Sequence, residues 1–252
     1  MLRILLNGCG GRMGRVISAL AADMKGIEIT AGCDKYPPAD TSFPVYKEIS
    51  QCKETVDAVV DFSHPSAFAG VIEFCLAQKT ALVMATTGLS QTQIDALSNI
   101  SSRIPVFYSA NMSMGINLLI ELAKTAANFT EGLFDIEIIE KHHNNKLDAP
   151  SGTAFAIADG INSALEKPKT TVFDRTGYRK ERSSGEMGIH AIRGGTIVGE
   201  HTVLLAGRDE VIEIKHEAMS RDIFASGAIK AAQFIKDKPA GLYSMQDIIN
   251  AK

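Results

Sequence analysis

A glycine-rich turn near the N-terminus joins a short apolar run to a helical pattern, and this junction constrains the fold most strongly. The run Leu2–Asn7 has the length and composition of a buried strand, and Gly8 follows it. Apolar residues then recur at helical spacing, namely at Met13, Val16, Ile17, Leu20 and Met24. Since glycines let a chain turn tightly between a strand and a helix, the junction predicts the first βα unit of a parallel sheet.

Further apolar runs alternate with helical patterns over the first 110 residues. The predicted strands are Ile27–Cys33, Val56–Asp61, Ala81–Ala85 and Pro105–Tyr108. Their nearly continuous apolar character is expected of strands that are covered on both faces. Strand–helix alternation with short connections therefore predicts an α/β, Rossmann-like domain with a parallel sheet.

The pattern changes after Asn111. The predicted elements are helices at Gly115–Phe129, Ser151–Leu165 and Ile223–Ile235, and strands at Phe134–Lys141, Ile189–Arg193, Ile197–Leu205 and Glu210–His216. Their order predicts an α+β domain with a mixed or antiparallel sheet, and a last helix that returns to the first domain. The charged stretch 166–186 is predicted to be a mobile excursion. The predicted domains are 1–112 with 222–252, and 113–221.

The glycine turn also suggests a ligand. Gly8, Gly10 and Gly14 follow a GxGxxxG spacing, in which backbone amides at a helix start approach a pyrophosphate. A tight βα turn of any function also favours glycines, so the spacing alone is weak evidence. The next predicted strand leads into Asp34, about 20 residues beyond the turn, where an acidic side chain binds the ribose hydroxyls of a dinucleotide. Together these features indicate a nicotinamide dinucleotide site.

The choice between NADH and NADPH stays open in the sequence. Asp34 favours NADH, whereas Lys35 either accepts the 2′-phosphate of NADPH or lies in a solvated turn. The loops after the fourth and fifth predicted strands lie where such sheets bind ligands, although ordinary turns explain them equally well. The candidate cofactor-binding residues are Gly8, Cys9, Gly10, Gly11, Arg12, Met13, Asp34, Lys35, Ala85, Thr86, Thr87, Ser109, Ala110, Asn111 and Met112.

The densest polar cluster runs from Glu140 to Ala154, where a predicted strand gives way to a helix. Its two histidines can donate or take a proton near neutral pH. Lys146 and the amides at the helix start can hold carboxylates or stabilise developing charge. The cluster therefore predicts anion sites beside a proton donor, with the candidate residues His142, His143, Lys146, Ser151, Gly152 and Thr153.

Other interpretations of this cluster are weaker. A metal site needs more ligands than His142 and His143 supply, so we expect no metal ion. Vicinal histidines also occur as plain surface residues. Asp148 is interpreted as a residue that caps or orients the loop. Ser151 lacks the GxSxG elbow of a hydrolase nucleophile, so a hydrolase is disfavoured.

Composition and charge argue against several classes of protein. The formal net charge of −3 gives no reason to expect nucleic acid, which favours basic surfaces. The run Leu2–Leu6 is shorter than the core of a signal peptide, and no apolar run reaches the ~20 residues of a membrane span. The cysteines are Cys9, Cys33, Cys52 and Cys75. Their spacing does not match a metal site, so reduced thiols and a cytoplasmic location are expected.

Two motifs stand out for their length. The first is Gly8-x-Gly10-Gly11-Arg12-Met13-Gly14-Arg15, and the second is Glu140-x-His142-His143-x-x-Lys146-x-Asp148-Ala149-Pro150-Ser151-Gly152-Thr153-Ala154. With the shorter segments Thr86-Thr87-Gly88, Asn111, Val198-Gly199-Glu200-His201 and Ser220-Arg221, they span nearly the whole chain. This pattern resembles the dihydrodipicolinate reductases of lysine biosynthesis. The chain departs from many members at Ala85, where glycine is frequent, and in having Asp34-Lys35 where some have Glu-Arg.

The resemblance implies a fold, a reaction and an assembly. It implies a Rossmann-like domain completed by the C-terminal helix, and a central domain that binds substrate and forms a homotetramer through its sheet. It implies that NADH or NADPH reduces 4-hydroxy-tetrahydrodipicolinate, a dicarboxylate, to tetrahydrodipicolinate in diaminopimelate and lysine synthesis. By resemblance, His142 is the general acid and Lys146 assists it. The residues implied to hold the substrate carboxylates are His143, Lys146, Gly152 and Thr153.

Two rival functions remain for comparison. An amino-acid or sugar dehydrogenase with the same domains explains the cofactor half but not the run from His142 to Thr153. A dinucleotide-sensing regulator needs no proton donor and commonly carries a basic DNA-binding module. The sequence favours the reductase, and it leaves open the cofactor preference and the role of residues 166–186.

Overall fold

The strand that precedes the glycine turn lies inside a seven-stranded sheet in the computed structural model, which describes residues 1–177 and 179–251. The chain divides into a first unit, Met1–Met114 with Asp222–Lys252, and a second unit, Gly115–Arg221. The elements are β1 (Leu2–Asn7), α1 (Arg12–Ala22), β2 (Ile27–Cys33), β3 (Val45–Tyr46), β4 (Ala58–Asp61), α2 (Phe68–Gln78), β5 (Ala81–Met84), α3 (Gln91–Ile100), β6 (Pro105–Tyr108), α4 (Met114–Phe129), β7 (Asp135–His142), α5 (Gly152–Ala164), β8 (Thr170–Val172), β9 (Glu186–Arg193), β10 (Gly199–Ala206), β11 (Val211–Ala218), α6 (Asp222–Ile235), β12 (Gly241–Tyr243) and α7 (Met245–Asn250). Short 3-10 helices lie at Ile49–Gln51 and Pro65–Ala67.

The sheet of the first unit is entirely parallel and has the order β12-β6-β5-β4-β1-β2-β3. The chain builds one side from β1 to β3 and then the other side from β4 onward. The strand order therefore reverses between β1 and β4, and sheets of this kind bind ligands outside the carboxyl ends of the strands at such a point. Asn7 and Asp61 end these two strands and lie opposite each other. The predicted Rossmann-like sheet is confirmed.

Apolar side chains cover both faces of this sheet. In β1, Ile4 and Leu6 face a core shared with α1 and α6, whereas Leu5 faces a second core shared with α2 and α3. All three side chains are fully buried. Successive residues of a strand point to opposite faces, so a strand covered on both sides must be apolar along its whole length.

The second unit holds a five-stranded mixed sheet with the order β11-β10-β7-β9-β8. β10 is antiparallel to β7 and β11, whereas β9 is parallel to β7 and β8. Ile136 and Ile138 of β7 lie in the core that α4 and α5 share with this sheet. Buried and half-buried residues alternate along β7, which places Glu140 and His142 on the same buried face. The predicted mixed sheet is confirmed.

The structure corrects the sequence analysis in its short and polar segments. β3, β8, β12 and α7 were missed, because elements of two to six residues are too short to show a hydrophobic period. The stretch 166–186, predicted to be a mobile excursion, instead contains β8. Its Arg175 and Arg182 donate hydrogen bonds to Glu137 of β7. The charged sequence suggested a mobile excursion, but Arg175 and Arg182 pair with a carboxylate of the sheet.

The cysteines and the helices give two further observations. All four cysteines are free thiols, and burial raises the pKa of Cys33 to about 12 and that of Cys9 to about 11, which keeps both thiols protonated and unreactive. Among the described residues, no helix has the length and apolar character that crossing a membrane requires.

Candidate active site

Two close approaches of the backbone shape the glycine turn after β1. Gly8 adopts a φ angle of +83°, and a Cβ atom there would lie 2.5 Å from the carbonyl oxygen of Phe62. A Cβ atom on Gly14, in α1, would lie 2.6 Å from Cα of Cys9. The amide of Gly8 donates to the carbonyl of Cys33 at 2.8 Å, which ties the turn to the end of β2. Glycine is therefore required at both positions, and the turn is fixed where the strand order reverses.

Asp34 lies against this turn. One of its oxygens accepts a 2.9 Å hydrogen bond from the amide of Gly10, and the other accepts a 2.9 Å bond from the amide of Tyr36. Lys35 is exposed, with its ammonium 5.8 Å from the centre of the Tyr36 ring, and Arg12 is exposed at the start of α1. The acidic group expected to meet ribose hydroxyls thus lies beside the glycines expected to meet pyrophosphate. The arrangement fits a dinucleotide.

A buried carboxylate, Asp61, connects the ends of three strands beside the turn. It is 1% exposed and accepts hydrogen bonds from Asn7 Nδ2 (2.7 Å), Ser63 Oγ (2.6 Å) and Thr86 Oγ1 (2.8 Å). These donors follow or end β1, β4 and β5. Burial raises the pKa of Asp61, although the three donors oppose the rise. Asp61 therefore holds Thr86, a candidate cofactor residue, in register with the glycine turn.

The remaining candidate cofactor residues follow β5 and β6 at the same edge of the sheet. The side-chain oxygen of Asn111 accepts a 2.9 Å hydrogen bond from the amide of Ser113, and the hydroxyl of Ser109 donates to the carbonyl of Asn111 at 2.7 Å. Parallel strands end at one edge, so the first unit gathers the predicted residues 8–13, Asp34, Lys35, 85–87 and 109–112 along it.

The second group of candidate residues surrounds a fully buried carboxylate, Glu140 of β7. Its Oε2 lies 2.6 Å from Nδ1 of His142, and its Oε1 accepts a 2.9 Å hydrogen bond from the amide of Ser151. Two guanidinium nitrogens of Arg193 donate to the two oxygens at 2.8 and 2.7 Å. The carboxylate thus has a paired charge and a donor for each oxygen, which a buried anion requires.

This geometry sets the tautomer of His142. Burial alone would raise the pKa of Glu140, but its hydrogen-bond donors, above all Arg193, lower it overall. An ionised carboxylate can only accept, so Nδ1 of His142 donates to it and Nε2 is the site that gains or loses a proton. Burial is the largest single influence on the pKa of His142 and lowers it, and Glu140 opposes this by raising it. The charges of Lys146 and Arg193 also lower it, so the pKa of His142 lies below its ordinary value. When protonated, His142 is therefore a stronger acid than an ordinary histidine.

A further histidine, His201 of β10, packs against His142. The two rings meet edge to face with their centroids 5.2 Å apart. Nε2 of His201 lies 3.0 Å from the hydroxyl of Ser151, and burial lowers the pKa of His201 to about 4. The same hydroxyl accepts a 3.1 Å hydrogen bond from the backbone amide of Ala154 and so caps α5. Ser151 is 1% exposed, so its contact with a substrate stays a prediction, whereas its capping role is observed.

The loop between β7 and α5 carries the other candidates. Nζ of Lys146 lies 2.8 Å from Oδ1 of Asp148. His143 is half-buried, and Gly152 and Thr153 begin α5, where backbone amides point out of the helix. The second unit thus brings the predicted catalytic and substrate-binding residues to one end of β7.

Both halves of the chain match family models. The model described as "Dihydrodipicolinate reductase, N-terminus" matches residues 2–112, and "Dihydrodipicolinate reductase, C-terminus" matches residues 115–249. The chain belongs to the dihydrodipicolinate reductase family. As a member of this family, the reductase is an oxidoreductase that uses NADH or NADPH.

Individual relatives agree with this family. A 4-hydroxy-tetrahydrodipicolinate reductase from Caldanaerobacter subterraneus subsp. tengcongensis is 48% identical over 250 residues, which cover 99% of this chain and 98% of that protein. One from Clostridium tetani is 47% identical over 251 residues, covering 100% and 98%. The dipicolinate-bound dihydrodipicolinate reductase from Paenisporosarcina sp. TG-14 shares the fold, with a TM-score of 0.80, 23% identity and 97% of each chain covered. These relatives favour the reductase over the dehydrogenase and regulator alternatives.

Sequence analysis gave no role to several residues that shape the site of this reductase. The predicted strand Phe134–Lys141 stopped one residue before His142, whereas β7 extends to His142. With the correct strand end, the strand period places Glu140 and His142 on one face. Arg193 lies 53 residues beyond Glu140, and no local spacing reveals their contact. Asp61 entered the sequence analysis only as the last residue of the predicted strand Val56–Asp61. His201 stood within a family motif without an assigned function.

Replacing Asp61 by asparagine should weaken cofactor binding. An amide nitrogen cannot accept the hydrogen bonds that Asp61 receives, so the loop that carries Thr86 loses its anchor. We expect the KM values for NADH and NADPH to rise several-fold, and the free energy of unfolding to fall by about 1–3 kcal/mol. In a Thr86→Val background, steady-state kinetics should show a smaller effect of Asp61→Asn. Unchanged KM values in a destabilised variant would restrict Asp61 to a structural role.

Replacing Glu140 by glutamine should move the pH dependence of the reaction. Glu140 raises the pKa of His142, so its removal lowers that pKa, and His142 loses its proton at lower pH. The basic limb of the kcat/KM profile should therefore shift to lower pH. Glu200→Gln is the matched control, because Glu200 is a buried carboxylate of β10 that pairs with Lys141. A profile of Glu140→Gln that coincides with this control would contradict the proposed coupling.

Proposed function

We propose that this chain reduces 4-hydroxy-tetrahydrodipicolinate to tetrahydrodipicolinate, with hydride from NADH or NADPH and a proton from His142. The observation that carries the proposal is the buried Glu140–His142 pair, with Nδ1 of His142 2.6 Å from the carboxylate. The relatives named for this reaction are 47% and 48% identical over nearly the whole chain. A small dicarboxylate substrate is supported by the solved relative from Paenisporosarcina sp. TG-14, which is bound to dipicolinate.

The first unit would hold the cofactor. The amides of the turn at Gly8 and Gly10 would face the pyrophosphate, and Asp34 would accept the ribose hydroxyls, where its carboxylate now accepts the amide of Gly10. The loops at 85–87 and 109–112 would line the nicotinamide end. When bound, the reduced nicotinamide supplies a hydride.

The proposed reaction balances with one hydride, one proton and one water. The substrate loses its ring hydroxyl and a proton of a neighbouring carbon as water. The carbon that carried the hydroxyl gains the hydride, and an adjacent ring carbon gains a proton from Nε2 of His142. Glu140 keeps Nδ1 as a donor throughout, so the imidazole returns to the neutral tautomer with Nε2 free to take up the next proton.

The substrate's own charge would assist protonation of His142. In the free chain the positive charge of Lys146 lowers the pKa of His142. A carboxylate bound at Lys146 would offset that charge and raise the pKa again, so that His142 is more fully protonated when the substrate is present. His143, Gly152 and Thr153 lie on the same loop and helix start, and we assign the remaining carboxylate contacts to them.

A homotetramer and a cytoplasmic location belong to the same proposal. Exposed apolar side chains on the sheet of the second unit, Ile192, Val211 and Ile212, supply surface that an assembly through this sheet would cover. The free, largely buried thiols suit a reducing compartment.

Replacing His142 by glutamine tests the proton donor. We expect turnover to fall by roughly 10²-fold or more, the scale of lost general acid catalysis, while fluorescence titration shows unchanged NADH binding. His143→Gln is the matched control and should raise the KM for the dicarboxylate more than it lowers kcat. Near-normal turnover of His142→Gln would remove His142 from the chemistry.

Replacing Lys35 by alanine tests the preference between the two cofactors. If its ammonium meets the 2′-phosphate, the KM for NADPH should rise roughly tenfold while that for NADH changes little. Lys25→Ala removes the same charge from an exposed position before β2 and should leave both KM values unchanged. Equal effects of Lys35→Ala on both cofactors would show that Lys35 does not contact the phosphate.

A further inference from the structure

The carboxylate of Asp148 accepts hydrogen bonds from Lys146 and from the amide of Gly152, which are donors that the proposed function assigns to substrate carboxylates. Its Oδ1 lies 2.8 Å from Nζ of Lys146, the lysine proposed to bind a substrate carboxylate. The hydrogen bond from Lys146, and to a smaller extent the amide of Gly152, lower the pKa of Asp148. A carboxylate of the protein is therefore stabilised by two of the donors proposed for carboxylates of the substrate.

The surroundings of Asp148 let its side chain leave while its backbone stays in place. The side chain is 56% exposed, so its carboxylate can move into water at little cost in desolvation. Its carbonyl oxygen accepts a 2.7 Å hydrogen bond from Nη2 of Arg193, the same nitrogen that donates to Glu140. The loop backbone is thus anchored through Arg193 rather than through the Lys146–Asp148 ion pair.

We propose that Asp148 stands in for a substrate carboxylate: it pairs with Lys146 in the free enzyme and is displaced when the dicarboxylate binds. The proposal rests on the function proposed above. Binding then exchanges one ion pair at Lys146 for another, so Asp148 sets the affinity of the site. A small anion must also displace Asp148 from Lys146, but it forms only that one contact, whereas a dicarboxylate gains a second contact through its other carboxylate. Asp148 thereby favours dicarboxylates over simple anions.

The affinity for dipicolinate tests this proposal without turnover, because the aromatic ring has no hydroxyl to lose. We expect Asp148→Asn and Asp148→Ala, in the full-length enzyme with saturating NADH, to lower the Kd for dipicolinate about two- to fivefold in isothermal titration calorimetry. This range corresponds to the release of one exposed ion pair. The KM for the reducible substrate should fall by the same factor.

Lys146→Met separates this inference from the proposed function. The substitution keeps an unbranched stem and removes the charge, so it should raise the Kd roughly tenfold or more and abolish the effect of Asp148→Asn in the double variant. An unchanged Kd in Lys146→Met would show that Lys146 holds no substrate carboxylate, so the role proposed for Lys146 and the present inference would both fail, whereas the proposed reaction is tested separately by His142→Gln. If Lys146→Met weakens binding but neither Asp148 variant tightens it, only the present inference fails.

Asp159→Asn provides the matched charge control. Asp159 is exposed on α5, two helical turns beyond Gly152, and its replacement should leave the Kd for dipicolinate unchanged. Equal tightening in this control would assign the effect to net charge and overturn the proposal. A higher Kd in both Asp148 variants would also overturn it, and would instead make Asp148 a residue that holds Lys146 in position.

Discussion

The second unit depends on the pairing of one fully buried carboxylate, Glu140, with Arg193. A charge removed from water costs several kcal/mol unless it is paired and hydrogen-bonded. Arg193 of β9 supplies the charge, while His142 and the amide of Ser151 supply the other donors. One carboxylate therefore joins two strands and the start of α5. Movement of β7 or β9 would separate this buried charge from its partner, and movement of α5 would remove a hydrogen-bond donor. The ring of His142, the proposed proton donor, therefore shares the rigidity of the core.

The first unit meets a different requirement, because the pyrophosphate of a cofactor at the proposed site would come close to backbone amides. Side chains at Gly8 and Gly14 would collide with backbone atoms, so the turn is built from residues without them. Rigidity then has to come from below the turn, where Asp61 receives hydrogen bonds from three strand ends. In the proposed function, the backbone of the turn accommodates the pyrophosphate in this unit, whereas side chains of the other unit hold the substrate.

Features that depend on neighbouring residues could be predicted from the sequence, whereas features that depend on contacts between distant segments could not. β1, β2 and β6 begin and end where the apolar runs predicted. A strand that is covered on both faces needs consecutive apolar residues, and such a run is visible in the local sequence. β3 and β8 hold two and three residues, and their pairing with longer strands, rather than a local pattern, makes them strands. The candidate site was found to the extent that its residues are contiguous, as in the run from His142 to Thr153.

The sequence by itself determined the alternation of strands and helices, the positions that require glycine, and the residue types of the reactive loop. Only the tertiary structure decided which partners those residues have and which of their atoms carry a proton. Arg193 reaches Glu140 from 53 residues away, and this contact keeps the carboxylate charged and assigns Nδ1 of His142 as a donor. The tertiary structure also shows that Ser151 is a buried helix cap and that Asp148 pairs with Lys146. Protonation and pairing depend on burial and on groups from distant segments, which no local spacing encodes.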